Sequence, residues 1–154
     1  MTATTRRVAI LGATGSIGTQ TADVIHHLNA LYERGAHACR YAVVGLAAGS
    51  RAGDLASMAE SFGCARVALS EREAAADLPH RLGASAFAGA DAAERLVRET
   101  EPDLVVAAIV GIAGLGSTLA AVEHGADVAL ANKESLVAAG SLMTGVAARS
   151  GAKL

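Results

Sequence analysis

Four times in this sequence an apolar run of strand length breaks off into glycine or a polar residue. Val8-Ala9-Ile10-Leu11 stops at Gly12, and Tyr41 to Leu46 runs into Ala47-Ala48-Gly49-Ser50. Leu104 to Val110 stops at Gly111, and Asp127 to Ala131 at Asn132. An apolar run without alternation marks a strand buried on both faces, which needs a layer of helices on each side. The stretches between supply those helices. Ile17, Thr21, Val24, Ile25, Leu28 and Leu31 recur at helical spacing from Ser16, with Gly35 closing the segment. Leu55, Met58, Ala59 and Phe62 form a second stripe stopped by Gly63, and Ala92 to Glu99 a third helix ended by Glu101-Pro102-Asp103. Another helix is expected from about Ser117 to Gly125, and a last one from Asn132 to about Arg149. Short strands are expected at Ala65 to Leu69 and Ser85 to Ala88, and Lys153-Leu154 reads as the start of one more. Strand and helix alternate throughout, so the fold class is α/β: doubly wound, with a mainly parallel sheet and helices on both faces.

Length and composition narrow the class further. The chain has 154 residues, one domain's worth, enough to hide roughly 70% of its unfolded surface. Hydrophobic residues make up 52%, nearly half of them alanine, and aromatics only 3% with no Trp. Such a core suits thin strands and close helix–sheet packing, not a base-stacking surface. Thirteen Lys and Arg against 15 Asp and Glu leave no basic stripe, so nucleic acid is not an expected partner. Cys39 and Cys64 stand far apart without a nearby His-rich pattern, which reads as plain thiols in a reducing compartment. The start of the chain shows no signal-peptide pattern, and no apolar run reaches the ~18 residues of a membrane span. The expectation is a cytoplasmic protein with no membrane partner.

In a parallel sheet all strand carboxyl ends share one edge, where ligands bind. The polar and glycine-rich segments Gly12 to Gly18, Gly49 to Arg51, Gly111 to Gly116 and Asn132 to Ser135 all follow strands, so they converge on one crevice. Gly12-Ala13-Thr14-Gly15-Ser16-Ile17-Gly18 is a G-x-x-G-x-x-G variant of the dinucleotide fingerprint, which makes the fold Rossmann-like. Gly12 permits the tight turn, Gly15 lets backbone approach a pyrophosphate, and Gly18 allows close helix–strand contact. The phosphates would sit on free N–H groups at the helix start, with hydroxyls from Thr14 and Ser16 beside them. The bland reading is a tight turn with no ligand. After the second strand, where NAD sites usually carry an acid, stand Ser50 and Arg51, with no carboxylate until Asp54. Ser50 can donate to a 2′-phosphate and Arg51 can pair with it, which favours NADPH; otherwise Arg51 is a solvated cation.

Gly111 to Gly116 either passes close to the nicotinamide half of the cofactor or marks loop geometry alone. Asn132 suits an N-cap and Glu134 a first turn, but Lys133 has the wrong sign for a helix start unless an anionic ligand offsets it. The five histidines pair with no Cys or carboxylate at ligand spacing. No catalytic triad or paired-carboxylate motif stands out, so no catalytic and no metal-ligating residue is assigned.

Four strings carry a family resemblance: Ile10-Leu11-Gly12-Ala13-Thr14-Gly15-Ser16-Ile17-Gly18-Thr19-Gln20-Thr21, Val44 to Ser50, Ala108 to Leu115, and Ala129-Leu130-Ala131-Asn132-Lys133-Glu134-Ser135 to Gly140. Together they resemble the NADPH-binding domain of 1-deoxy-D-xylulose 5-phosphate reductoisomerase, with departures at 29–40 and 71–79. The resemblance implies a fold of residues 1–154 as that domain. It implies an oxidoreductase of non-mevalonate isoprenoid biosynthesis, which rearranges 1-deoxy-D-xylulose 5-phosphate and reduces the product with NADPH to 2-C-methyl-D-erythritol 4-phosphate. It places Thr14, Gly15, Ser16 and Ile17 on the pyrophosphate, Gly49, Ser50 and Arg51 on the adenosine end, Asn132 and Glu134 on the nicotinamide end, and Lys133 on the substrate.

The family also uses a divalent metal (Mg, Mn or Co), whose Asp and Glu ligands follow the next strand, beyond Leu154. It forms homodimers, largely through parts outside this sequence. The chain is therefore expected to be the cofactor-binding portion, inactive alone. Two other readings stand beside it: a self-sufficient NADP-sensing domain, and an aspartate-semialdehyde-type dehydrogenase. The latter would need a catalytic Cys at a strand's carboxyl end.

Overall fold

The apolar runs do become the strands, and their alternation divides the core in two. The computed structural model describes residues 4–83 and 85–154. Its six strands are β1 (Thr4–Leu11), β2 (Cys39–Ala48), β3 (Val67–Leu69), β4 (Phe87–Ala88), β5 (Leu104–Ala107) and β6 (Asp127–Leu130). The helices are α1 (Ser16–Glu33), α2 (Ala52–Phe62), α3 (His80–Gly83), α4 (Ala92–Thr100), α5 (Leu115–His124) and α6 (Lys133–Ser150), with 3-10 turns at Glu73–Asp77 and Gly111–Gly114. The sheet is parallel throughout, in the order β4-β3-β2-β1-β5-β6. Val8 and Ile10 of β1 pack with Ile25 of α1 and Leu55 of α2 on one face. Ala9 and Leu11 pack with Leu96 of α4 and Val122 of α5 on the other. Both faces of β1 are covered, which is why its sequence shows no polar alternation. Between β1 and β2 the register slips by one residue at Val44, and the next residue, Gly45, lies under Leu96, whose side chain a Cβ there would meet at 3.1 Å.

Several expectations shift by a turn or a face. In α1 the buried residues are Gly18, Ala22 and Ile25, whereas Ile17 and Val24 are 45% and 55% exposed. The helix start lies so close to the loop before it that small residues face the sheet, turning the bulky stripe partly outward. β2 extends through Ala47 and Ala48, which the sequence reading had placed in its terminating turn. β5 ends at Ala107; beyond it Ala108 still donates to the Leu11 carbonyl at 2.9 Å, but Val110 is 84% exposed. The stretch 111–116 is helical instead of an open glycine loop, so α5 begins at Leu115. β6 is a half-covered edge strand with Ala129 exposed, and beside it the Lys153 carbonyl accepts from the Val128 N–H at 2.8 Å. No helix of the described residues is long and apolar enough to cross a membrane.

Polar braces hold the amino-terminal edge of the sheet. Arg6 reaches over β5 to the Asp127 carboxylate at 2.7 Å and to the Asp103 carbonyl, while the Asp103 carboxylate accepts the Arg7 N–H at 2.7 Å. Burial works against ionisation of Asp127, but the Arg6 guanidinium and the Lys153 N–H outweigh it and hold its carboxyl below the usual aspartate value. A group with a lowered folded-state pKa stabilises the fold above its unfolded value of 3.8, and that contribution is lost as pH falls through the folded pKa. Asp127→Asn should therefore lower the melting temperature at pH 7 by ~3 °C, for a half-exposed pair worth about 1 kcal/mol. Melting curves of the two proteins should converge as pH falls well below 3.8; an offset that persists there would mean the charge is not what stabilises.

Candidate functional site

The strand order places a reversal of direction beside β1: the chain leaves it toward β2 on one side and returns to β5 on the other. Loops at such a point diverge and leave a crevice at the carboxyl edge. A cavity of about 550 Å³ occupies that crevice. Gly12, Thr14 and Gly15 line it after β1, Gly49, Ser50 and Arg51 after β2, and Ala108, Ile109 and Val110 after β5. Ser16, Ile17, Asn132, Lys133 and Glu134 are not among the lining residues.

The first loop owes its shape to Gly12 and Gly18. Gly12 has φ +83°, and a Cβ there would fall 2.5 Å from the Ala108 carbonyl oxygen. A Cβ on Gly18 would fall 2.3 Å and 2.4 Å from the carbonyl oxygens of Gly12 and Ala13, so its close contact is with the loop itself. Gly15 differs. Its φ of −78° suits any residue, and a Cβ would sit 3.3 Å from the Gly12 carbonyl oxygen, so its bareness concerns the surface it presents. Its N–H is spent on that same carbonyl at 3.0 Å. The N–H groups of Thr14, Ser16 and Ile17 donate to nothing among the described residues. No side chain caps α1 and no acid occupies its first turn, so the donors and the positive end of the helix dipole are unopposed at the helix start.

Arg51 ties the second segment to the first. Its guanidinium donates to the Thr14 carbonyl and pairs with Asp54 at 3.4 Å, with the side chain still 58% exposed. It is thus neither a free cation nor a purely solvated one: Asp54 and Thr14 aim it along the cavity rim. Ser50 is exposed beside it.

The fourth segment behaves differently from the expectation of a polar row facing ligand. Asn132 is 4% exposed and caps α6 by accepting the Ser135 N–H. Its amide donates to the carbonyls of Ile109 and Gly111, the latter at 2.7 Å. Lys133 and Glu134 are exposed at the helix start and make no hydrogen bond or ion pair among the described residues. α6 is not continuous, since Ala139 has φ −142° and ψ 24° and separates its first turns from the rest.

Sequence reasoning missed the far wall. Ala68 and Ser70 at the end of β3, with Ala90 and Ala93 near the start of α4, complete the cavity with small side chains. A polar Ser70 directly after the apolar Val67-Ala68-Leu69 was the available signal. Both thiols lie at the opposite edge, Cys39 opening β2 and Cys64 preceding β3, where burial pushes the Cys64 thiol up. Neither stands where a catalytic cysteine of the semialdehyde-dehydrogenase type would be needed.

The model of the 1-deoxy-D-xylulose 5-phosphate reductoisomerase family matches residues 8–140. The chain belongs to this family. The reductoisomerase of Corynebacterium glutamicum is 46% identical over 91% of the chain, and that of Mycobacterium avium 49% identical over 92%. The chain spans about a third of the length of these relatives, 34% and 32%. A solved reductoisomerase from Zymomonas mobilis in complex with NADPH superposes with a TM-score of 0.84 at 41% identity. The match covers 97% of this chain and 38% of that one. A second, in complex with NADPH, fosmidomycin and magnesium, gives 0.81 at 36% identity, over 96% of this chain and 35% of that one.

In a chain built this way, the first loop should tolerate a methyl group only where backbone is not already in contact. Gly18→Ala should cost about 3 kcal/mol of stability, because both clashing atoms are backbone. Gly15→Ala should cost under about 1 kcal/mol. Chemical denaturation of the two variants checks the contrast, and equal losses would contradict it.

Proposed function

We propose that this chain is the NADPH-binding domain of a 1-deoxy-D-xylulose 5-phosphate reductoisomerase, the enzyme that forms 2-C-methyl-D-erythritol 4-phosphate in non-mevalonate isoprenoid synthesis. The observation that carries the reading is the loop after β1. The N–H groups of Thr14, Ser16 and Ile17, unpaired among the described residues, stand at the start of α1, beside a cavity whose rim bears Ser50 and Arg51, the latter bonded to the Thr14 carbonyl. Solved members of the family that contain this fold are in complex with NADPH, which supports the assignment.

The residues present fit a phosphorylated dinucleotide. The pyrophosphate would lie on the N–H groups of the first loop, where Gly15 presents no side chain and the α1 dipole favours negative charge. The adenosine end would lie over Gly49 and the small side chains of Ala68, Ala90 and Ala93, with its 2′-phosphate against Ser50 and Arg51. The nicotinamide end would extend past Gly12 toward Ile109 and the start of α6, which brings Glu134 and Lys133 to its neighbourhood. NADPH, when bound, supplies the hydride. Lys133 stays exposed and unpaired, as a contact to an anionic sugar phosphate requires. A divalent metal is a different matter: among the described residues no group of three His, Cys, Asp or Glu side chains comes together, and no step through a metal is derived.

Titration of the chain with NADPH and NADH, followed by nicotinamide fluorescence, tests the reading. NADPH should bind the more tightly. Arg51→Glu should weaken NADPH by about 10- to 100-fold, the worth of a charge-assisted contact, while changing NADH binding by no more than about threefold. Equal losses for the two would remove the 2′-phosphate from Arg51, and no binding of either would remove the dinucleotide altogether.

A further inference from the structure

Resting on the reading that the nicotinamide end lies over the carboxyl ends of β5 and β6, we propose that Asn132 is a positioning residue. It locks the backbone between β5 and α5 into the shape of the cavity floor, and it does so with the amide that would otherwise be free to meet the ligand. Both hydrogens of Nδ2 are in use, on the carbonyls of Ile109 and Gly111, and Oδ1 accepts the Ser135 N–H. An asparagine amide has two donors, so nothing is left to donate to a carboxamide or a ribose hydroxyl.

The surroundings enclose this amide. A Cβ on Gly114 would lie 3.2 Å from Nδ2 and 3.1 Å from the Ile109 carbonyl oxygen, so the 3-10 turn closes over the clamp from one side. From the other side Gly12 presses on Ala108 and Ile109. The clamped segment is anchored at its ends, by Ile109 against the core and by the Ser117 and Thr118 hydroxyls on the Gly114 carbonyl, but between them Val110 is 84% and Ile112 70% exposed. The first turns of α6 are in the same position. Leu136 and Val137 are 46% and 87% exposed, and the break at Ala139 uncouples these turns from the rest of α6. The Asn132 amide joins the loop to the helix start, with Ser135 buried beside it and its Oγ unpaired among the described residues. Asn132 therefore sets two things at once: the floor under the nicotinamide end, and the direction from which Lys133 and Glu134 approach it.

The experiment separates clamp, cap and direct contact. Asn132→Asp and Asn132→Ser both keep an N-capping oxygen, and both lose the two amide donors. Each is compared with the unchanged chain for binding of NADPH and of 2′,5′-ADP, which carries only the adenosine half. Hydrogen exchange of the ligand-free chain is followed over 109–114. The clamp predicts 2′,5′-ADP affinity within about twofold of the unchanged chain, NADPH affinity about tenfold weaker, and faster exchange over 109–114. Having two capped variants guards against one that folds poorly. Unchanged NADPH affinity would overturn the proposal, and so would equal losses for both ligands. Weakened NADPH binding with unchanged exchange would also overturn it, by assigning Asn132 a direct contact. If the unchanged chain binds neither ligand, the dinucleotide reading falls by itself; exchange that then stays the same in the variants overturns the clamp as well.

Discussion

At the centre of this protein the backbone of Gly12 lies against the backbone of Ala108 and Ile109 with no room for a single added carbon. That contact is made where the chain reverses direction between β1 and β5, and the other elements of the site are hung from it. On one side Arg51 crosses to the Thr14 carbonyl and draws the end of β2 onto the first loop. On the other side Asn132 takes the carbonyls of Ile109 and Gly111 and draws the start of α6 onto the end of β5. Four segments that follow four strands are thereby braced into one rim. The donors at the start of α1 stay unpaired because the bracing uses carbonyls and side chains and leaves those N–H groups alone. Such preorganisation matters for binding, since a loop already ordered loses little entropy when the ligand arrives.

The two edges of the sheet are held by different chemistry. At the amino-terminal edge Arg6, Asp103 and Asp127 form charged and backbone hydrogen bonds that staple β1, β5 and β6. These interactions stabilise the strands at the edge opposite the crevice. At the carboxyl edge the braces are glycine contacts and single side chains, and the rim carries exposed apolar groups such as Val110, Ile112 and Val137. On the proposed reading this edge admits a ligand, which leaves less room for cross-linking. The alanine-rich faces of the helices make this division workable, because thin layers bring loops from both sides of the sheet within reach of one another.

Much of this was legible before any coordinates. Continuous apolar runs of strand length in an α/β chain are explained by burial on both faces, so the class of fold followed from β1, β2 and β5 directly. The glycine loop was legible because strand, tight turn and helix start each leave a mark on the sequence. Arg51 was legible through the absence of an acid where one is usual. Other features were not. The stripe on α1 turned outward at Ile17 and Val24 because Gly18 pulls the helix onto the loop, and periodicity cannot report how close a helix approaches. Ser70 and the start of α4 were missed because β3 and β4 are too short to announce which loop ends where. Asn132 read as either a cap or a ligand-facing group; in the structure it caps α6 and also donates to two carbonyls 21 and 23 residues away, which no local pattern announces.

The sequence by itself determined which segments are strands, that they run parallel, and that glycine and polar segments gather at their carboxyl ends. Those properties are local, written in apolar runs, spacing and turn residues. Only the tertiary structure decided which of the gathered groups are used up and which remain open. Arg51 meets a carbonyl 37 residues earlier, and Asn132 meets two in a different loop. Such pairings depend on the order and register of the strands. Neighbouring strands in this sheet are as far apart in sequence as β1 and β5, and no local pattern carries that distance.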